Sequence, residues 1–361
     1  MAHIFISPLS WGLGHAGRVT PIITELLNHG HEVTIATSGG SLEMLKKEFP
    51  DCHFILFPDY PPPYSSTRFF LPKFALSLPI LSKALLDEKK IADSLLSNNK
   101  YDMVICDSRP GVYSDKIPSF FISHQLRFSL PYYFKPVEKF SLKINEFFHK
   151  RFERIIILDN NPDTVCLSGK LCQSTRRTTN AKAYYAGILC PSHKMDVPED
   201  LDFLISISGP EPQRSKLEEI LLPQVHKLPG KKVVLLGRPH DNFEKKLDKY
   251  TTVKSYVSHE EKNLLMNRAK FIISRSGYTT MMEIAELDKK HGLFTPTPGQ
   301  TEQEYLSEYY EQQRWFPSKS QYELDLLKDV EMAMEYKGFP IMPGTKDNAK
   351  RLYDKVLVKY L

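Results

Sequence analysis

At 361 residues, with 41% hydrophobic and 25% charged side chains, the chain has the length of two domains and the composition of an ordinary globular protein. Its net charge of +5 is too weak to argue for nucleic acid, and no basic tract, zinc-finger spacing or aromatic RNA-binding motif adds to it. The five cysteines (Cys52, Cys106, Cys166, Cys172, Cys190) are odd in number and hold no Cys-x-x-Cys pair, which argues against a disulfide framework or structural zinc and for a reducing cytosol.

Residues 3–7 are too short for a signal h-region and read as a first strand. Val19, Ile22, Ile23, Leu26 and Leu27 then mark one helix face, Gly30 ends it, and 32–36 is the next strand, giving a βαβ unit. The connection carries Gly12-x-Gly14-x-x-Gly17, in form a dinucleotide fingerprint. Residues 8–11 lengthen that turn, however, and strand 32–36 runs into Thr37-Ser38-Gly39-Gly40 with no carboxylate for a ribose. His15 stands in the loop near the helix amino terminus, which would lower its pKa. Neutral, it suits a general base; protonated, it would steady a departing diphosphate; a backbone-bonded loop histidine is the plain alternative. Arg18 is a weak site candidate or a surface charge.

Residues 58–79 are rich in proline and aromatics and read as a long loop, a candidate acceptor lid. The most apolar run, 69–81, is broken by Pro72, Lys73 and Pro79 and falls short of the roughly 20 apolar residues of a spanning helix. Strand 102–106 ends at Asp107, and strand 119–123 ends at His124. Polar residues at strand carboxyl ends make both acceptor-side candidates, against a turn residue for Asp107 and a structural histidine for His124. Residues 125–155 hold seven Lys or Arg against three Glu, among many aromatics. They fit a core helix with a long loop, or a face that docks on anionic membranes. Strands at 154–158 and 184–188 close this half, and 190–202 reads as a linker.

The second half opens with strand 203–208, then Gly209 and Arg214 ahead of helix 215–227, a phosphate-loop position. A cation is disfavoured at a helix start, which points Arg214 towards a diphosphate. Strands follow at 232–236 and 253–257, and Ser258 caps the next helix with Glu261. Strand 271–274 breaks at Arg275-Ser276-Gly277-Tyr278; Thr280 is a plausible N-cap with Glu283 at its third position. Strand 292–295, a loop to Gln300 and a helix from Thr301 follow. Two loops thus leave neighbouring parallel strands, each before a helix amino terminus, the place where open α/β sheets bind anions. Leu324, Leu327, Val330 and Met334 fall at helix spacing, and 346–361 is a last helix.

Arg275-Ser276-Gly277-Tyr278-Thr279-Thr280-Met281-Met282-Glu283, with Gln300-Thr301-Glu302-Gln303, resembles the donor-binding half of GT-B glycosyltransferases, most nearly the group of the bacterial peptidoglycan N-acetylglucosaminyltransferase. Gly12-Leu13-Gly14-His15 with Arg18 is similar to the amino-terminal loop of that group, so the resemblance covers both halves. It implies an α/β architecture of two Rossmann-like, doubly wound domains facing across a cleft. The first is 1–189, on the acceptor side; 190–202 links it to 203–345, which binds the nucleotide sugar; and helix 346–361 crosses back. The implied activity is transfer of a sugar from a UDP-sugar to an acceptor hydroxyl, inverting, with no cofactor and no metal. The one Asp-x-Asp, at Asp200 and Asp202, falls in the linker. His15 is the implied catalytic base. The implied donor site comprises Gly14, Ser208, Gly209, Arg214, Val257, Ser276, Gly277, Tyr278, Thr279, Thr280, Glu283, Gln300 and Gln303. In the family reading Val257 lends backbone to the uracil edge, Ser276 a hydroxyl and Gly277 backbone donors. Glu283 accepts the ribose hydroxyls, against a capping-box alternative with Thr280, and the two glutamines hold the sugar. The donor-reaching arginine that the family carries near 184–188 has no counterpart. Relatives act on lipid-linked acceptors, so a cytoplasmic protein, peripheral on the membrane, is expected. A nucleotide-sugar epimerase on the same plan and a non-catalytic nucleotide-sugar-binding subunit remain as alternatives.

Overall fold

The structure, a computed structural model, describes residues 1–59, 70–127 and 135–361. The chain forms two compact units, Met1–Pro191 with Pro343–Leu361, and Ser192–Met342.

Unit 1 is a seven-stranded parallel sheet. Its strands are β1 (His3–Pro8), β2 (Glu32–Thr37), β3 (His53–Leu56), β4 (Met103–Asp107), β5 (Ser119–Ser123), β6 (Arg154–Ile157) and β7 (Ala183–Tyr185), in the order β3-β2-β1-β4-β5-β6-β7. The connections include α1 (Leu13–Asn28), α2 (Gly39–Glu48), α3 (Phe70–Asn98), α4 (Lys135–His149) and α5 (Arg177–Lys182). Ile4, Phe5, Ile6, Val104 and Ile105 are fully buried, as expected for strands covered on both faces. On α1 the predicted stripe packs inward at Val19, Ile22, Ile23 and Leu26, whereas Leu27 stays exposed. Of the predicted lid, 60–69 lie outside the described residues, and from Phe70 the chain is α3 rather than loop. Of the basic-aromatic stretch, 128–134 lie outside them as well, and Lys135–His149 is helical.

Unit 2 has six strands, β8 (Leu201–Ser206), β9 (Lys232–Leu235), β10 (Glu244–Lys246), β11 (Thr251–Lys254), β12 (Ala269–Ser274) and β13 (His291–Phe294), in the order β10-β11-β9-β8-β12-β13. All pairings are parallel except β10 with β11. Helices α6 (Gln213–Val225), α7 (His259–Arg268), α8 (Tyr278–Glu286), α9 (Thr301–Gln312) and α10 (Leu326–Ala333) connect and cover it. Strand β10 has no apolar alternation to announce it; it is a charged, exposed edge. Residues 192–200, expected as linker, lie along α7. There Asn263 and Asn267 accept from the backbone of His193 and Met195 at 3.2 and 2.9 Å, and Asp200 pairs with Arg268.

The last helix, α11 (Thr345–Lys355), belongs to unit 1. Its Asn348 donates to the Ile188 carbonyl at 3.0 Å and fills the space where a side chain at Gly187 would stand. Gly187 has φ 86°, which a side chain resists as well. Tyr353 stacks on His29 at 3.8 Å and bonds His31 at 2.8 Å. Among the described residues no helix is long and apolar enough to cross a membrane.

Candidate functional site

In unit 1 the strand order turns at β1, which has β2 on one side and β4 on the other. Connections leaving β1 and β4 therefore diverge, the topological position where doubly wound sheets bind ligands. Four predicted residues meet there. His15 is in the first turn of α1, not in a loop, and Arg18 lies one turn further on. Asp107 ends β4, and His124 follows β5.

Arg18 and Asp107 are both buried, with 2% and 0% of their surface exposed. Arg18 Nε donates to Asp107 Oδ2 at 2.6 Å and Arg18 Nη2 to Oδ1, a bidentate fork. Arg18 is thus no surface charge but the buried counter-ion of Asp107. His15 Nδ1 lies 2.9 Å from Asp107 Oδ2 and 2.8 Å from Arg18 Nη2. The two hydrogens of Nη2 have Asp107 Oδ1 and, at 3.1 Å, Ser108 Oγ as acceptors. A proton on His15 Nδ1 then has Asp107 Oδ2, and every donor is matched. That tautomer leaves the lone pair on Nε2, which bonds no described residue, on a side chain 18% exposed. Arg18 Nη1 also donates to His124 Nδ1 at 2.8 Å, so His124 carries its proton on Nε2.

Electrostatics agree with this assignment. Burial, then the Arg18 charge, pushes the His15 pKa below its usual value against the pull of Asp107, so the imidazole is neutral at pH 7. The direction matches the helix-terminus expectation, but the leading cause is desolvation. Burial pushes the Asp107 carboxyl up, and Arg18 and His15 together pull it further down, well below the usual carboxylate range.

In unit 2 the order turns at β8, flanked by β9 and β12. Arg275, first residue after β12, is buried and spends its donors on oxygens of the surrounding loops. These are the carbonyls of Ser208 (3.4 Å), Gln213 (2.9 Å), Thr295 (3.2 Å) and Pro296 (3.0 Å), and Gln321 Oε1 (2.8 Å). Among the described residues no carboxylate pairs with it. Burial lowers its pKa to about 10, so it stays charged at neutral pH. Gly209 (φ 120°) lies over this cation: a Cβ there would sit 3.5 Å from Thr297 Oγ1 and 3.9 Å from Arg275 Nε. Thr297 Oγ1 is buried without a hydrogen-bond partner among the described residues. Gly277 and Gln300 occupy the N-caps of α8 and α9, and neither supplies a side-chain cap bond. A buried cation with no described carboxylate, a bare glycine, a hydroxyl without a described partner and two helix starts gather here, features of the kind on which anion sites are built.

Other predicted donor residues stand differently. Arg214 is held by Glu211 at 2.6 Å and Glu218 at 2.7 Å, so its unfavourable helix-start position is relieved by carboxylates of the same unit rather than by a ligand. The Ser276 hydroxyl is fully buried and donates to the Gln303 carbonyl at 3.0 Å, so it is committed within the unit. Gln303 Oε1 accepts from Thr297 N at 2.8 Å and its Nε2 donates to Gln300, which ties α9 to the β13 loop. Thr280 is not an N-cap: α8 begins at Tyr278, placing Thr280 and Thr279 in its first turn. Nor does Glu283 cap; it is buried between Lys262 Nζ (2.6 Å) and Ser192 Oγ (3.3 Å). Lys262 is on α7, four residues after Ser258, whose hydroxyl caps that helix by accepting from Glu261 N at 3.1 Å. Val257 precedes this cap, so Val257 and Glu283 are joined through α7. Ser208 is exposed, and Gly14 is the second residue of α1. The carboxylates of Asp200 and Asp202 are taken by Arg268 and Lys270. Sequence reasoning gave no role to Arg275 itself, to Lys262 or to Gln321. A cation directly after a buried strand was the available signal for the first; nothing marked the other two.

No protein-family model matches the chain, and no curated protein sequence does. Solved structures do. The calicheamicin glycosyltransferase CalG4 is 13% identical with TM-score 0.64 over 99% of this chain and 94% of its own. MurG of Acinetobacter baumannii is 14% identical with TM-score 0.59 over the whole of both chains. The spinosyn rhamnosyltransferase SpnG, complexed with thymidine diphosphate, is 12% identical with TM-score 0.61 over 99% of this chain and 96% of its own. Two doubly wound units, each with polar groups gathered at its switch point, define a two-domain Rossmann-like protein. Its fold is GT-B, that of these glycosyltransferases.

Proposed function

We propose that the protein transfers a sugar from a nucleoside diphosphate sugar, with uridine as the expected base, to an acceptor hydroxyl. The observation that carries this reading is the His15–Asp107 pair, with Nδ1 held and Nε2 open on a neutral imidazole. His15 Nε2 takes the acceptor proton as the hydroxyl oxygen attacks the anomeric carbon. The bond from that carbon to the phosphate oxygen breaks, and the nucleoside diphosphate leaves with the electron pair. Attack opposite the leaving group inverts the anomeric centre. The Arg275 cradle in unit 2 stabilises the charge that develops on the diphosphate, with no divalent ion called for. Lys262 and Ser192 hold the Glu283 carboxylate for the ribose.

A thermal-shift screen of UDP-, TDP- and other nucleotide sugars, with NAD beside them, tests the donor. The neighbour solved with thymidine diphosphate makes TDP the competing base. A response to NAD alone would overturn the reading. Turnover without any added acceptor would favour an epimerase. His15→Ala is expected to lower turnover about 10²–10⁴-fold with nucleotide binding retained; unchanged turnover would remove the base.

A further inference from the structure

Outside both switch points, the loop after β6 holds a second buried cluster. Asp159, Cys166 and Cys172 bring a carboxylate oxygen and two sulfurs within 4.8 Å of one another. The sulfurs are 2.9 Å apart, inside the contact distance of two non-bonded sulfur atoms. Both cysteines are buried, at 4% and 0% exposure.

Such a triad suggests a cation first, but the chemistry of Asp159 rejects one. Its Oδ1 accepts from the backbone of Asn160 at 2.8 Å and Leu167 at 2.9 Å. Its Oδ2 accepts from Ser168 N at 2.7 Å and Ser168 Oγ at 2.5 Å. Four protein donors occupy the lone pairs a metal would need, and they fold the loop that positions Cys166. Two thiolates around zinc, each about 2.3 Å from the ion, would also have to stand further apart than these sulfurs do.

We propose that Cys166 and Cys172 are a disulfide-forming pair, closing the loop between β6 and β7 when the protein meets a hydroperoxide. Oxidation leaves no acceptor stranded. Cys166 Sγ lies 3.1 Å from Asp159 Oδ2 and 3.5 Å from the Gly169 carbonyl, either of which can take its single hydrogen, and Cys172 donates to the Gly169 carbonyl at 3.2 Å. After the thiol hydrogens are lost, Asp159 Oδ2 keeps Ser168 and the Gly169 carbonyl keeps Gln173 Nε2 at 3.4 Å. The sulfurs need to close by less than an ångström to reach the bond length of about 2.05 Å.

One cysteine, as thiolate, attacks an oxygen of the hydroperoxide; the O–O bond breaks, giving a sulfenic acid and releasing an alcohol, or water from hydrogen peroxide. The second thiol attacks the sulfenic sulfur, forming the S–S bond and expelling water. Two electrons pass from the sulfurs to the peroxide oxygens. The contact with Cys172, then burial and the Asp159 charge, raises the Cys166 thiol pKa, so the reaction is slow and the pair is no rapid sensor. The loop has a reader nonetheless: the Leu171 carbonyl accepts from Leu126 N at 2.8 Å and Arg127 N at 3.2 Å, holding the segment that begins at His124.

Trypsin cleavage at Lys170 separates the two cysteines into residues 155–170 and 171–176. The native full-length chain is treated with hydrogen peroxide, denatured, alkylated, digested and mapped without reductant. The expected result is these two peptides joined, about 2 Da lighter than their sum, and separately alkylated after reduction with dithiothreitol, while Cys106 and Cys190 are alkylated throughout. Separate alkylated peptides after peroxide, or either cysteine joined to another, overturns the proposal. So does zinc that co-purifies and leaves with a chelator as both thiols become alkylatable. Independently, oxidation should raise the unfolding midpoint of the wild type by roughly 3–5 °C, and not that of Cys166→Ser treated in the same way. An equal rise in the variant counts against the pair. If the variant does not fold, the peptide map of the wild type decides alone.

Discussion

Asp107 has two tasks. It neutralises Arg18 in the interior and fixes the tautomer of His15. Asp107→Asn removes both, leaving a buried guanidinium without its carboxylate, so the expected loss of stability is about 3–5 kcal/mol by urea unfolding. The proposed activity should fall by orders of magnitude in the part that stays folded. His15 also sets a pH profile. Its folded pKa lies below the unfolded 6.5. A base must be neutral, so kcat/KM should stay flat from pH 8 down past 6.5 and decline only at lower pH, through the lowered value. Stability runs the same way. Above 6.5 both folded and unfolded histidine are neutral; as pH falls below 6.5 the unfolded chain takes up the proton first, and stability is lost down to the folded pKa. A kcat/KM limb at or above 6.5 would contradict the buried, neutral imidazole.

At the scale of elements, Arg275 fastens the loops after β8, β12 and β13 through four carbonyls and one amide oxygen. Lysine offers three donors where arginine offers five. Arg275→Lys should therefore leave at least two buried acceptors unmet, at about 1–3 kcal/mol each, and lower the urea midpoint of unit 2. It should also weaken nucleotide diphosphate binding more than nucleoside binding, measured by calorimetry. Equal loss for both would show that the cradle does not face phosphate. Much of this element-level arrangement was legible beforehand. Strand, tight loop and helix from Phe271 onward, and the polar ends of β4 and β5, follow from apolar runs broken by small and charged residues. What stayed hidden are partners set by long-range packing. Asp107 stands 89 positions from Arg18, and Gln321 stands 46 from Arg275. Local rules also misled where tertiary contacts won: Thr280 and Glu283 have capping-box spacing, yet the N-cap of α8 is Gly277, three residues earlier, and Lys262 takes the carboxylate.

At the scale of the molecule, the chain leaves unit 1 at Pro191 and returns at Pro343. Removal of 343–361 takes away the buried Leu352, Tyr353, Val356 and Leu357. At about 1.5–3 kcal/mol each, that loss is comparable with the whole stability of a domain. The truncated chain should show unit 1 exchanging its amide hydrogens freely while unit 2 keeps its protection; protection retained in both would contradict the assignment. The same connectivity orders biosynthesis. The ribosome delivers unit 2 as one uninterrupted stretch, ready to fold as it emerges, whereas the sheet of unit 1 waits for α11 until unit 2 has been translated. Of the two units, the one begun first is completed second, and until then Gly187 and His29 lack the Asn348 and Tyr353 side chains that cover them.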